Sequence, residues 1–206
     1  MDSHPSFPVM STCPLGYGSP ENSKELAEKA SKVSVPSNSS MSNEREVSSI
    51  PSRDGKWQYP SPVQFYRNAV AKGHELDPDD MNTVVSIHNA VNEETWRRIR
   101  AIEEKYHFQE CPDGPTLIRF VGKPSEPSAK ARFMHWIGGY VMPFDRHEWT
   151  IDRCGRGLFK YHVDFYDGAQ GSTDKVPIFL DVRPAMDTKE GIVDRVKLLV
   201  SSVVGL

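Results

Sequence analysis

The chain contains no run of about eighteen apolar residues, so nothing in it reads as a membrane span. It also has little excess charge: 25 basic against 28 acidic residues leave a formal net charge of −3, which gives no general attraction to nucleic acid. Its three cysteines, at positions 13, 111 and 154, have no metal-finger spacing and cannot all pair, so neither a zinc site nor a disulfide framework is expected. The opening Met1-Asp2-Ser3-His4 has neither the apolar core of a secretory signal nor the arginine-rich character of a cleaved presequence. Composition alone describes a cytoplasmic protein. A hydrophobic share of 37% over 206 residues suffices for one sizeable core.

What the chain has in excess sits at its start. The first sixty residues hold fourteen serines and seven prolines without lasting apolar periodicity, too little burial to offset the entropy of ordering. Residues 1–55 are therefore read as a disordered arm, with at most a short helix around Lys24 to Lys32, and residues 56–206 as the folded domain.

Helix signals follow quickly. Ser61-Pro62 is an N-cap and N1 pair, Phe65, Tyr66, Ala69 and Val70 form a stripe, and Gly73 is a stop. Asp77-Pro78 opens a second helix carrying Met81, Val84, Val85 and His88, and a third is expected from Asn92. The second half reads as antiparallel sheet. Thr116 to Val121 is a short strand, Ser128 to Ile137 a helix, and Phe159, Tyr161, Val163 and Phe165 alternate with polar residues. Cys154 to Gly157 suggests a hairpin with a strand over 147–153, and Ile178, Leu180 and Val182 mark another strand. From Thr188 on, Ile192, Val193, Val196, Leu199, Val200 and Val203 make a stripe expected to pack across the sheet rather than meet a membrane. The fold class is α+β, with a helical first half and an antiparallel β-sheet second half after a disordered N-terminal arm.

The densest chemistry lies in Pro143 to Gly155. If residues 147–153 are extended, His147, Trp149, Ile151 and Arg153 share a face. Such a face either lines a site for a flat anionic ligand or is a core tryptophan beside an ion-paired arginine.

With Asp80 to Asn89, Asn92 to Trp96 and Tyr161 to Gly168, this segment resembles the mitochondrial cytochrome c haem lyase (holocytochrome c-type synthase) family. Matching blocks run in that family's order from Ser49-Ile50-Pro51 and Lys56-Trp57-Gln58-Tyr59-Pro60, through Cys111-Pro112, to Phe179 to Ala185. The resemblance covers roughly residues 48–187. It implies an enzyme that binds haem b as substrate and joins its vinyl groups through thioether bonds to the C-x-x-C-H cysteines of apocytochrome c, leaving open apocytochrome c1. It also implies the mitochondrial intermembrane space, with peripheral attachment to the inner membrane. The alternative is a haem chaperone or sensor that forms no covalent bond. The chain has no C-x-x-C-H of its own, as expected of the tool rather than the cytochrome.

By spacing, His88 projects from an apolar face with Val84, Val85 and Val91, where a satisfied core histidine is the common case. The resemblance instead implies that His88 is the axial iron ligand, with Asn89 or Glu93 orienting its other nitrogen. Glu93 could equally serve the helix dipole. Trp57 and Tyr59 either stack on porphyrin or pack under the first helix. Arg146 and Arg153 either hold haem propionates or pair with Asp145, Asp152 or Asp164. His147 is either a base for the peptide thiol or a structural hydrogen-bonder. Cys13-Pro14 looks like a haem regulatory motif, whereas Cys111 and Cys154 have no nucleophile partners.

Overall fold

The computed structural model describes residues 20–53, 55–123, 126–168 and 178–204. Six strands form one sheet in the order β2-β1-β3-β4-β5-β6: β1 Val47–Ser52, β2 Gly55–Gln58, β3 Thr116–Gly122, β4 Asp145–Asp152, β5 Leu158–Asp167 and β6 Ile178–Pro184. All pairings are antiparallel except β1 with β3, so the expected antiparallel sheet is a mixed one. The departure is local, because β1 and β2 form a hairpin laid on the free edge of the β3–β4–β5–β6 meander.

Local signals place α2 (Pro62–Ala71) and α4 (Ala129–Gly138). Ser61 and Gln64 exchange side-chain and backbone hydrogen bonds in a capping box, and Ser128 accepts from the Ala131 amide. Gly139, at φ +64°, ends α4 in the left-handed conformation that glycine adopts without cost. The two helices expected over 78–106 are one. Helix α3 runs Met81–His107 without interruption, preceded by a 3-10 turn over Pro78–Asp80. No proline or glycine falls within it, and Asn89 and Asn92 are buried by side-chain hydrogen bonds instead of breaking the helix. Its inner face, with Trp96, Ile99 and Ile102, packs on Leu117, Phe120, Trp149, Ile151, Tyr161 and Val163 of the sheet.

Part of the stretch expected to be a disordered arm, from Pro20 on, is folded. Cys13 lies outside the described residues, but α1 (Pro20–Ser31) packs on α2, and Met41 joins Val63, Phe65, Met81 and Val85 in a second cluster. The serine-rich stretch is held by hydrogen bonds more than by apolar burial. Ser42 N–H donates to Asn82 Oδ1 at 3.0 Å, Asn82 Nδ2 to the Ser40 carbonyl at 3.0 Å, and Ser48 and Ser49 both bond Glu93.

At the far end of α3 lies a buried ionic knot. Arg153 donates from Nε and Nη2 to the two Glu103 oxygens at 2.7 Å each, and Tyr161 adds its hydroxyl at 2.6 Å. Asp194, on α5 (Lys189–Val204), lies 3.5 Å from Arg153 Nη2 and 2.9 Å from His107 Nε2. Helix α5 is thus fastened through polar groups, and its aliphatic stripe does not pack on the sheet as expected: Ile192, Val193, Val196, Leu199 and Val200 are all exposed. Nor are the cysteines all free. Cys111 and Cys154 form a disulfide, their Cα atoms 5.4 Å apart, which staples the β4–β5 turn to the loop after α3. Their separation of 43 residues gave no spacing signal.

Two stability outcomes follow. Arg153→Ala leaves Glu103 a buried carboxylate without its cation and should cost about 3–5 kcal/mol in urea unfolding. Reducing the Cys111–Cys154 disulfide should cost about 2–4 kcal/mol by the same assay, since it closes a long loop; Cys154→Ser should show the loss without reductant.

Candidate functional site

The fourth residue of α3's second turn is His88, half-buried over the N-terminal end of β4. A narrow cleft of about 70 Å³ opens there between Ile87, His88, Val91 and Asn92 of the helix and Phe144, Asp145, His147, Phe165 and Ile178 of the sheet. Phe65 of α2 presents an edge to the His88 ring, with centroids 5.3 Å apart. His88 Nδ1 lies 3.2 Å from Asn92 Nδ2, and turning that amide presents its oxygen instead, so the pair accommodates either tautomer. Burial, reinforced by nearby His147, pushes the His88 pKa down to about 3 against the opposing pull of a hydrogen bond to Asn89. The ring is neutral near neutral pH. That is the form that ligates iron.

His147 forms the opposite wall. Phe165 meets it edge-on at 4.7 Å and Phe120 stacks at 6.1 Å. Its Nε2 sits 3.0 Å from Asp145 Oδ2 without hydrogen-bond alignment, and both ring nitrogens are buried and unsatisfied. The buried Nδ1, with no partner beside an apolar cleft, fits a place where an external group completes the bonding. Among the described residues no three His, Cys, Asp or Glu side chains are grouped to hold a metal ion.

One turn beyond His88, α3 is clamped to the sheet edge. Glu93 Oε1 accepts from Ser48 Oγ at 2.5 Å, Ser49 N at 3.1 Å and Tyr59 Oη at 3.0 Å, while Oε2 accepts from Ser49 Oγ. Burial works against its charge, yet these bonds outweigh it and hold the carboxyl below the usual range. Asn89 Nδ2 donates to Glu46 at 2.8 Å. Glu93 therefore does not orient His88, as expected of it; Asn92 touches the ring, and Glu93 fixes the turn behind it. Ser48, Ser49 and Glu46 carry no local signal because their partners on α3 lie 43 to 45 residues away.

The other expected residues are dispersed. Tyr59 is fully buried with its hydroxyl on Glu93, so its ring is not available for stacking, and burial pushes its phenol up. Trp57 tilts against Phe120 at 5.4 Å on β2, three strands and about 14 Å from β4. Arg146 shares a sheet face with Asp164, opposite to His147, and donates to the Glu126 carbonyl at 2.7 Å. Arg153 stands at the other end of β4, about 25 Å from Asp145, inside the ionic knot. Neither arginine lines the cleft at His88. Asp145 and Asp152 are not Arg153's partners either; Glu103 and Asp194 are. The shared face of His147, Trp149 and Ile151 is core: Trp149 stacks on Phe120 at 5.1 Å and on Trp96 at 6.5 Å. Only the His147 end opens to the cleft.

A family model described as Cytochrome c/c1 heme lyase matches residues 23–199. The holocytochrome c-type synthase of Homo sapiens is 39% identical over 201 residues, covering 90% of this chain and 73% of its own length. That of Bos taurus is 43% identical over 165 residues, covering 77% of this chain and 59% of its own. The holocytochrome-c synthase of Saccharomyces cerevisiae is 33% identical over 227 residues, covering 94% and 82%. No solved structure matches. The match over residues 23–199 and the relatives aligned across most of the chain agree: the chain belongs to the cytochrome c/c1 heme lyase family.

Proposed function

We propose that the protein is a holocytochrome c synthase, a lyase that joins the vinyl groups of haem b to the C-x-x-C-H cysteines of apocytochrome c. The observation that carries this reading is family membership over residues 23–199 together with a neutral histidine on an apolar cleft within them. Relatives named for c and for c1 both match, so the match does not separate apocytochrome c from apocytochrome c1 as substrate. The place of action is the mitochondrial intermembrane space, with peripheral attachment to the inner membrane.

In this reading His88 ligates the iron through Nε2, with Asn92 turned so that its oxygen accepts from Nδ1–H. The histidine of the incoming C-x-x-C-H takes the iron's other face, which sets both peptide thiols beside the vinyls. Each addition replaces an S–H bond and a vinyl π bond by a C–S and a C–H bond, so no net oxidant or reductant is consumed. The chain's contribution is position. The cleft, at about 70 Å³, is far below the roughly 300 Å³ of small ligand pockets, so the macrocycle enters only when the cleft widens. Glu93 holds α3 so that His88 faces the cleft. We assign His147 to the wall, orienting what binds, rather than to proton transfer; Arg153 and Tyr59 keep the scaffold in place, and Trp57 and Arg146 lie outside the site.

The direct test is co-expression with apocytochrome c and haem staining on a denaturing gel, where only covalent haem survives. A stained cytochrome band is expected; haem bound to the protein without that band would favour a chaperone. His88→Ala should stay folded by circular dichroism while losing most haem, its low-spin bands and the product. A folded variant that keeps both would move the iron ligand elsewhere. Glu93→Gln should lower unfolding stability by about 1.5–3 kcal/mol and activity along with it. Activity lost at unchanged stability would instead give Glu93 a chemical role.

A further inference from the structure

Helix α5 presents two unlike faces. Gly191, Asp194, Leu198 and Ser201 turn inward: Asp194 meets His107 at 2.9 Å, the Ser201 hydroxyl meets Tyr106 at 2.7 Å, and a Cβ on Gly191 would collide with the Ala185 carbonyl. Outward, Ile192, Val193, Val196, Leu199 and Val200 are 48–59% exposed, a continuous aliphatic stripe on a 16-residue helix. With the protein side of the helix already satisfied, the stripe is not left over from core packing.

Beside the stripe runs a groove of about 440 Å³ lined by Lys105, Lys130, Arg183, Arg195, Leu199 and Ser202. Its one acidic lining residue, Asp181, is already taken by Lys130 and Arg183 at 2.6 Å each. Arg195 is half-buried, donates to the Pro184 carbonyl at 2.9 Å, and has no carboxylate within ion-pair distance among the described residues. The groove is thus cationic, and a guanidinium with donors to spare fits a phosphate. On its other bank, α4 carries exposed Phe133, Trp136 and Ile137, Trp136 at 82%. Aliphatic and aromatic side chains flanking cationic ones are the composition of a surface that lies in a lipid headgroup layer. A second copy of the chain fits poorly, because two-fold pairing of stripe on stripe would bring two cationic grooves together.

We propose that the α4–α5 side docks on an anionic phospholipid membrane, with the α5 stripe at the acyl boundary and a headgroup phosphate at Arg195. This rests on the peripheral attachment proposed above and names the surface that makes it. Purified full-length protein should float with vesicles of phosphatidylcholine doped with phosphatidylglycerol, far less with phosphatidylcholine alone, and less again at high salt. Arg195→Gln should weaken partitioning about fivefold. Val196→Glu with Leu199→Glu, both at exposed positions, should abolish flotation while leaving haem attachment in solution unchanged. If the parent floats and these variants float equally well, the surface is wrong while attachment stands. If the parent floats with no vesicle, attachment itself falls. A parent that is dimeric, made monomeric by the glutamates and indifferent to lipid, would make the stripe a self-association face and overturn the proposal.

Discussion

Glu93 and Glu103 stand ten residues apart on one helix, about 15 Å along its axis, and most of the architecture hangs from their carboxylates. Glu93 gathers hydroxyls from β1 and from Tyr59 just beyond β2, and Glu103 gathers Arg153 from the end of β4 and Tyr161 from β5. Apolar burial between them, with Trp96 and Ile99 against Trp149 and Ile151, supplies the bulk of the adhesion but is not directional. The carboxylates supply direction. They set the rotation of α3 about its axis, and that rotation decides whether His88 faces the sheet or solvent.

The two anchors differ in kind. The Glu103–Arg153 pair is dry and multiply hydrogen-bonded, and its removal from one side only would leave an uncompensated charge. The Glu93 cluster is neutral on the donor side, three hydroxyls and an amide around one carboxylate, and it sits nearer solvent. The end of α3 that carries the cleft is therefore the more easily loosened end.

Features governed by neighbours in sequence were legible before the fold was known. The Ser61 and Ser128 caps, the Gly139 stop, the alternation in β5 and the Cys154 to Gly157 turn all carry their signal within a few residues. Features decided by distant partners were not. Serines 48 and 49 look like a flexible tract until Glu93 is placed beside them, and Arg153 looks like a propionate clamp until Glu103 is. The α5 stripe misled for a related reason: amphipathicity says that a helix has an apolar face, not what that face meets. For His88 two signals pulled apart, its spacing among valines reading as a core histidine and the family resemblance as an iron ligand, and the structure sets Asn92, one turn on, against its ring.

An unbroken α3 has a mechanical meaning. A helix of 27 residues spans about 40 Å and bends little over that length, so His88 near one end and His107 at the other belong to one rigid body. His107 holds Asp194, and Asp194 holds α5. A tilt of α3 that widened the cleft would therefore press on the seat of α5 through the His107–Asp194 contact, as a beam on a pivot moves both its ends.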